Sequence, residues 1–391
     1  MRPVSTTERR ARLGARHRLA PWARADSAAE VAESLVALHG TDPASVFLAV
    51  WARTSSVDSA QIERALYEDR MLVRMLGMRR TMFVVPVGLA GVVQAACTDE
   101  VARRMRRQLA ARLEQAGITA DGEGWLEQVG DAVLRVLAAR GAATGVELSR
   151  DEPRLREQIV VAAEKSYGGP GSVASRVLML LSAEGRIVRG RPRGGWTSSQ
   201  FQWFPASAWL GGRPANPSAA TARAELARRW LSAFGPARVS DLQWWAGWTA
   251  RQVKAALSQV RVTDVDLDGG PGIILADDEG PVAAPEPWPA LLPALDATAM
   301  GWRDRRWFTG GHESALFDRS GNIGPTAWWD GQIVGGWAQR RDGEIVLRLL
   351  DDRGADATKE LAAQAHRLQA WLGPVRITPR FRTPLERELS A

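Results

Sequence analysis

Apolar residues recur at helical spacing along most of the chain, and the gaps between those runs carry turn residues. Val31, Leu35 and Leu38 share one helical face, and Ser27 with Glu30 three positions on reads as a capping box. The pattern predicts a helix ending near His39, stopped by Gly40 in the left-handed conformation. Asp42-Pro43 is then a start signal, a carboxylate for free backbone N–H groups and a proline for the first helical position. Phe47, Val50 and Trp51 mark the buried face of the helix that follows. A basic helix is predicted over 8–19, ended by Pro21, and a short helix over 59–67 with Ile62, Ala65 and Leu66 inward. Residues 72–85 close in a strand-like run, Met82-Phe83-Val84-Val85. Three helices followed by extended segments is the order of a winged helix-turn-helix, assigned to 1–86.

The same order returns twice. Residues 87–125 read as linking helices, and the run 88–113 carries Arg103, Arg104, Arg106, Arg107 and Arg112, either a solvated face or a phosphate contact. A second winged unit is assigned to 126–212, with helices over 126–139, 152–163 and 171–183. Its wing is the stretch from Gly185 to Trp196: an Ile-Val strand, a Gly/Pro/Arg tip and a return strand. Arg186, Arg189, Arg191 and Arg193 there face a phosphate backbone, or belong to an ordinary basic hairpin. A third unit is assigned to 213–270, with a helix over 222–234, a second from Ser240, the turn Ala246-Gly247-Trp248-Thr249, and a helix over 250–257 capped by Thr249. Short helices around a glycine turn match helix-turn-helix spacing. Trp244, Trp245 and Trp248 form a buried aromatic floor or stack on bases.

From 271 onward strands are predicted at 273–275, 315–317, 327–329, 333–334 and 345–347, reached through the proline-rich stretch 281–289. Asp330-Gly331 and Asp342-Gly343 are tight-hairpin signals. A helix over 358–371 and a strand over 375–378 finish the chain. The fold class expected is α+β: tandem winged helix-turn-helix units followed by a C-terminal antiparallel β-barrel, with a terminal helix, over 271–391.

Composition narrows the partners. The 391 residues, 45% of them hydrophobic, suffice for two or three compact units. A net charge of +7 favours an anionic partner, and double-stranded DNA stands ahead of a membrane because no apolar run is long enough to span one. The basic side chains are almost all arginine, with lysine only at 165, 254 and 359. Cys97 is the lone cysteine, which excludes an internal disulfide and a cysteine zinc site. His17, His39, His312 and His366 lack metal-ligand spacing, so no metal and no cofactor are expected. No leader is read before Val4, and a cytoplasmic, nucleoid-associated monomer is the expectation.

Candidate chemistry sits at the junction. His39, Thr41 and Asp42 crowd an imidazole, a hydroxyl and a carboxylate into one turn, which is either a helix cap or a polar site holding one water.

Four stretches then carry a resemblance: Leu38-His39-Gly40-Thr41-Asp42-Pro43; Met78-Arg79-Arg80-Thr81; Leu291 to Asp296 with Gly301 to Arg305; and Trp329 to Gly335. Together they resemble the AlkZ/YcaQ winged-helix DNA glycosylases over nearly the whole chain. The resemblance implies three winged helices and a β-barrel in a C-shaped clamp around DNA. It also implies metal-free, monofunctional excision of alkylated purines, bulky adducts and, in some members, interstrand crosslinks. The catalytic positions, Gln–apolar–Gln or Gln–apolar–Asp in the family, hold His39 and Thr41 here. Arg80 replaces a glycine and Phe83 a histidine of the neighbouring motif. By this reading His39, Thr41 and Asp42 are catalytic, and Arg79, Arg80, Arg186, Arg189, Arg191, Arg193, Asp330 and Gly331 touch DNA. The replaced motif leaves an alternative, a non-catalytic winged-helix DNA-binding protein.

Overall fold

The computed structural model describes residues 1–161, 169–212, 217–283 and 285–391. It opens with β1 (Arg2–Val4), α1 (Thr6–Arg16) and α2 (Ala28–Ser34). Ser27 caps α2 through the Glu30 amide, but Glu30 reaches the Asp26 amide instead of Ser27, so the predicted capping box is not made. The helix also stops short of His39. Val36, not Gly40, takes the left-handed conformation (φ 65°), and the chain continues as β2 (Leu38–His39). A sheet drives this: the segments α3 (Pro43–Trp51), α4 (Ser59–Tyr67), β3 (Leu72–Leu76) and β4 (Met82–Pro86) follow, and Leu38 and His39 pair with Val84 and Phe83. Cross-strand pairing overrides the local helical spacing.

Next come α5 (Val87–Val93), a π-helical turn at Gln94–Thr98, α6 (Asp99–Gln115), α7 (Gly122–Arg140), β5 (Ala143–Thr144) and α8 (Gly145–Asp151). The helix predicted over 152–163 does not form. Pro153 opens one 3-10 turn, and the β-branched Ile159-Val160-Val161 enters β6 (Gln158–Val161), paired with β7 (Gly169–Ser172); residues 162 and 163 lie outside the described residues. The helix is α8 instead, begun by the Thr144–Glu147 capping box. Then α9 (Ala174–Ala183), β8 (Ile187–Pro192), β9 (Phe201–Pro205) and α10 (Ala206–Trp209) follow. The six strands β2-β4-β3-β8-β9-β5 form one sheet, in which β3 and β8 meet through the register pair Arg74 and Arg189.

In the third segment, α11 (Ala219–Phe234), α12 (Val239–Ala246), α13 (Ala250–Leu257), β10 (Val262–Leu267) and β11 (Gly270–Leu275) follow their predicted order. Gly247 closes α12 at φ 73°, and the Thr249 hydroxyl accepts from the Gln252 amide at 3.3 Å. Trp245 and Trp248 are buried and Trp244 is partly so, which favours the floor over the stacking role. β1 lies parallel to β10, a long-range pairing that no local pattern signals.

The C-terminal portion holds β12 (Pro289–Leu292), α14 (Arg306–Thr309), α15 (Glu313–Leu316), β13 (Thr326–Trp329), β14 (Gln332–Gln339), β15 (Ile345–Leu349), α16 (Gly354–Leu372) and α17 (Pro384–Leu389). The predicted barrel is corrected to an open four-stranded sheet, β12-β13-β14-β15, whose outer strands do not pair. So few strands cannot close a barrel, and helices do the covering: α16 packs on β12 and β15, and α17 on β14. Residues 315–317, predicted extended, are largely helical. Residues 375–378 join no strand; Gln339 holds them, accepting from the Ile377 amide at 2.9 Å and donating to the Val375 carbonyl at 3.2 Å. Both predicted hairpins form, and Asp330 and Gly331 take φ of 47° and 76°.

A buried ion pair fastens this portion to α3. Arg53 and Asp296, both fully buried, meet at 2.7 and 2.9 Å, and Arg53 also donates to Thr298 and to the His17 carbonyl. At the other end of α3, Ser45 donates to the Ala294 carbonyl at 2.7 Å. Among the described residues no helix is long and apolar enough to cross a membrane.

Candidate active site

The chain leaves β2 at His39 and enters α3 at Pro43, so Gly40, Thr41 and Asp42 turn between a strand and a helix. Asp42 caps α3: its Oδ1 accepts from Ala44 N at 3.1 Å. Its Oδ2 accepts from Arg380 N at 3.0 Å, which ties the C-terminal segment to the junction. Both carboxylate oxygens are therefore engaged by backbone donors. Gly40 is required by close approach, since a Cβ there would lie 2.9 Å from Arg74 Nη1 and 3.2 Å from the Phe83 carbonyl carbon. Arg74 donates to the Gly40 carbonyl.

His39 is 7% exposed, with its ring 5.2 Å from that of Phe83, its partner across the strands. Burial, assisted by the charge of Arg79, pulls its pKa down to about 3. At neutral pH the ring is therefore neutral and a weak base. Among the described residues its Nδ1 is buried without a partner, and so is the Thr41 hydroxyl.

Thr41 lies on the wall of a cleft of about 1340 Å³, formed also by α8, α9 and the β8–β9 hairpin. Arg150, Arg156, Arg189, Arg193 and Arg380 line it. Ser175 and Met179 of α9 belong equally to a second groove, of about 550 Å³, lined by Arg80, Arg112 and Arg176. Through these shared walls the two arginine-lined hollows adjoin. His39 stands behind that wall rather than on it.

The DNA glycosylase AlkZ-like family model matches residues 32–371. The chain belongs to that family. DNA is the partner that membership implies. No curated protein matches the chain. Among solved structures, the chain is similar to the DNA glycosylase AlkZ of Streptomyces sahachiroi, with 20% identity, 95% of this chain and 98% of that one covered, and a TM-score of 0.70. At that identity the likeness speaks for a shared α+β fold.

Within this AlkZ-family chain the arginines named from sequence have different surroundings. Arg186 pairs with Asp131, Arg191 with Glu68 at 2.8 Å and Glu63 at 3.5 Å, and Arg193 with Glu147 at 2.7 Å. Arg189 instead lies over the rings of Phe201 and Trp203, at 5.5 and 5.1 Å. Arg79 stacks 3.9 Å from the Trp244 ring, and burial with the charge of Arg305 pulls it down to about 10. Arg79 and Arg80 form the tip of the β3–β4 hairpin, both left-handed at φ 52° and 59°. Gly331 is buried: a Cβ on it would lie 2.6 Å from Arg10 Cβ, so that hairpin tip packs on α1. Asp330 is half-buried beside it, and burial raises its pKa.

Two residues that the sequence reading missed bear on the site: Arg380 lines the cleft, and Arg74 donates to the Gly40 carbonyl from behind it. Arg380 is separated from Asp42 by 338 positions, and Arg74 reads locally as a strand residue, so neither had a signal. Arg112 was visible only as part of a basic stripe. Among the described residues no group of three or more metal-ligating side chains converges.

Proposed function

We propose that this AlkZ-family protein is a monofunctional DNA glycosylase that hydrolyses the N-glycosidic bond of N3- or N7-alkylated purines, bulky adducts included, in duplex DNA. The observation that carries this reading is Thr41, on the wall of an arginine-lined cleft, whose buried hydroxyl has no partner among the described residues. The reading treats residues 1–86, 126–212 and 213–270 as winged-helix units, 87–125 as their linker and 271–391 as the closing portion of a C-shaped monomer around the duplex.

An alkylated purine of this kind carries positive charge, so the bond to C1′ is already weakened and leaving is easy. The site then needs to hold one water under the sugar while an oxocarbenium-like transition state forms. Thr41 orients that water, and the neutral His39 accepts a hydrogen bond from it through Nδ1. His39 is too weak a base to take the proton before the bond breaks; the C1′–N electrons leave with the purine, which departs neutral, and the water's proton is lost late to solvent as its oxygen bonds to C1′. Asp42 acts at one remove, holding the backbone of Thr41 at the helix start. Arg189 on the cleft wall and Arg80 on the adjoining groove contact the phosphates, with Arg79 supporting the hairpin tip. Arg186, Arg191 and Arg193 would contribute only by giving up their carboxylate partners.

Incubation with a duplex bearing 7-methylguanine tests the reading. Free 7-methylguanine and an unbroken abasic strand are expected, and binding without base release would favour the non-catalytic alternative.

A further inference from the structure

Arg74 and Arg189 are directly paired across β3 and β8, which sets two guanidinium groups against each other on one face of the sheet. Like charges opposite one another are destabilising there. Their contacts are with neutral groups: Arg74 donates to the Gly40 carbonyl, both lie over the Phe201 ring at 4.9 and 5.5 Å, and Arg189 reaches Met179 Sδ at 4.0 Å. Among the described residues Arg74 Nε and Nη2 and Arg189 Nε are buried without a hydrogen-bond partner, and so is the hydroxyl of Thr41, which shares a cleft with Arg189. Asp42, the acid nearest in the chain, has both oxygens engaged, one of them by Arg380 N. Burial and the charges of Arg74 and Arg380 pull Arg189 down to about 10, still charged at neutral pH. Among the described residues these donors are answered only in part, by the Gly40 carbonyl and Tyr67, which leaves some of the penalty of burying them uncompensated until an anion arrives.

We propose that this cluster is a built anion site that grips one backbone phosphodiester of the duplex, with Arg189 and Arg380 touching the phosphate and Arg74 positioning Arg189 from beneath. A phosphodiester fits better than a free anion because the cleft adjoins the second arginine groove, as a linear polyanion requires. The proposal rests on the glycosylase reading for its partner and extends it. One fixed phosphate sets the neighbouring deoxyribose at a constant distance from Thr41, so the same contact that secures the strand aligns C1′ with the water.

The test is a methylphosphonate scan. Single uncharged linkages are placed at successive positions around an abasic-site analogue in a duplex, and Kd is measured for the full-length protein. Loss of a charge-assisted contact at one linkage should weaken wild-type binding by about tenfold there. In Arg189→Gln and in Arg380→Gln that position should lose its effect, to within about twofold. Arg380 is exposed, so its variant keeps the test decisive even where Arg189→Gln does not fold. A flat scan, or an equal dip in both variants, overturns the site. Base release from a 7-methylguanine duplex, run in parallel, separates the two ideas. A dip without release keeps the phosphate site and removes the glycosylase reading, whereas release with a flat scan does the reverse.

Discussion

At the scale of single residues, His39 shows what neighbours do to a side chain. Its pKa of about 3 lies below the 6.5 of an exposed histidine, and His17, fully buried between Thr298 and the Ala233 carbonyl, shares that value. The unfolded chain therefore binds these protons first on acidification. The stability from burying two neutral rings is complete above pH 6.5 and is lost as the pH falls toward 3. Urea titrations should show stability falling by about 1.4 kcal/mol per pH unit for each ring below that point, and His39→Gln should make the decline shallower. For the same reason, single-turnover base release should show no ionisation step near 6.5. The sequence revealed that His39 borders a helix start, but not that Phe83 would seal it, because that contact arises from strand pairing. Arg80 makes the converse point. Its φ of 59° strains a non-glycine residue by about 1 kcal/mol, and glycine's lost backbone freedom offsets part of any relief. Arg80→Gly should leave the urea midpoint unchanged or higher while weakening duplex binding.

At the scale of elements, what was legible was what is local. Gly247 and Thr249 announce the turn between α12 and α13, Asp42-Pro43 announces α3, and the two Asp-Gly pairs announce their hairpins. The missed elements depend on distant partners, β2 on β4 and β1 on β10, and the predicted strand over 375–378 is replaced by a segment that Gln339 holds. The site inherits this division, since Thr41 is positioned by the local cap but α3 itself is held by the Arg53–Asp296 pair from far along the chain. Removing one partner leaves an uncompensated buried charge. Asp296→Ala should therefore destabilise the protein by about 3–5 kcal/mol in thermal or urea unfolding. An unchanged midpoint would show that α3 is held by packing alone.

At the scale of the molecule, the composition spoke correctly of excess positive charge but could not say where that charge is free. Arg186 sits in the arginine-rich wing stretch and is paired with Asp131, whereas Arg176, in an apolar helix, lines the groove that adjoins the Thr41 cleft. Duplex affinity should fall steeply with salt, and Arg176→Gln should reduce that slope by about 1 while Arg186→Gln leaves it unaltered. What decides the catalytic reading is the single-turnover rate of 7-methylguanine release at saturating enzyme, compared between wild type and Thr41→Val. A rate lowered by about a hundredfold with unchanged duplex affinity is the expected result, in the range for loss of a group that positions a reacting proton. An unchanged rate would show that the water is held elsewhere and that the junction between β2 and α3 only builds the fold.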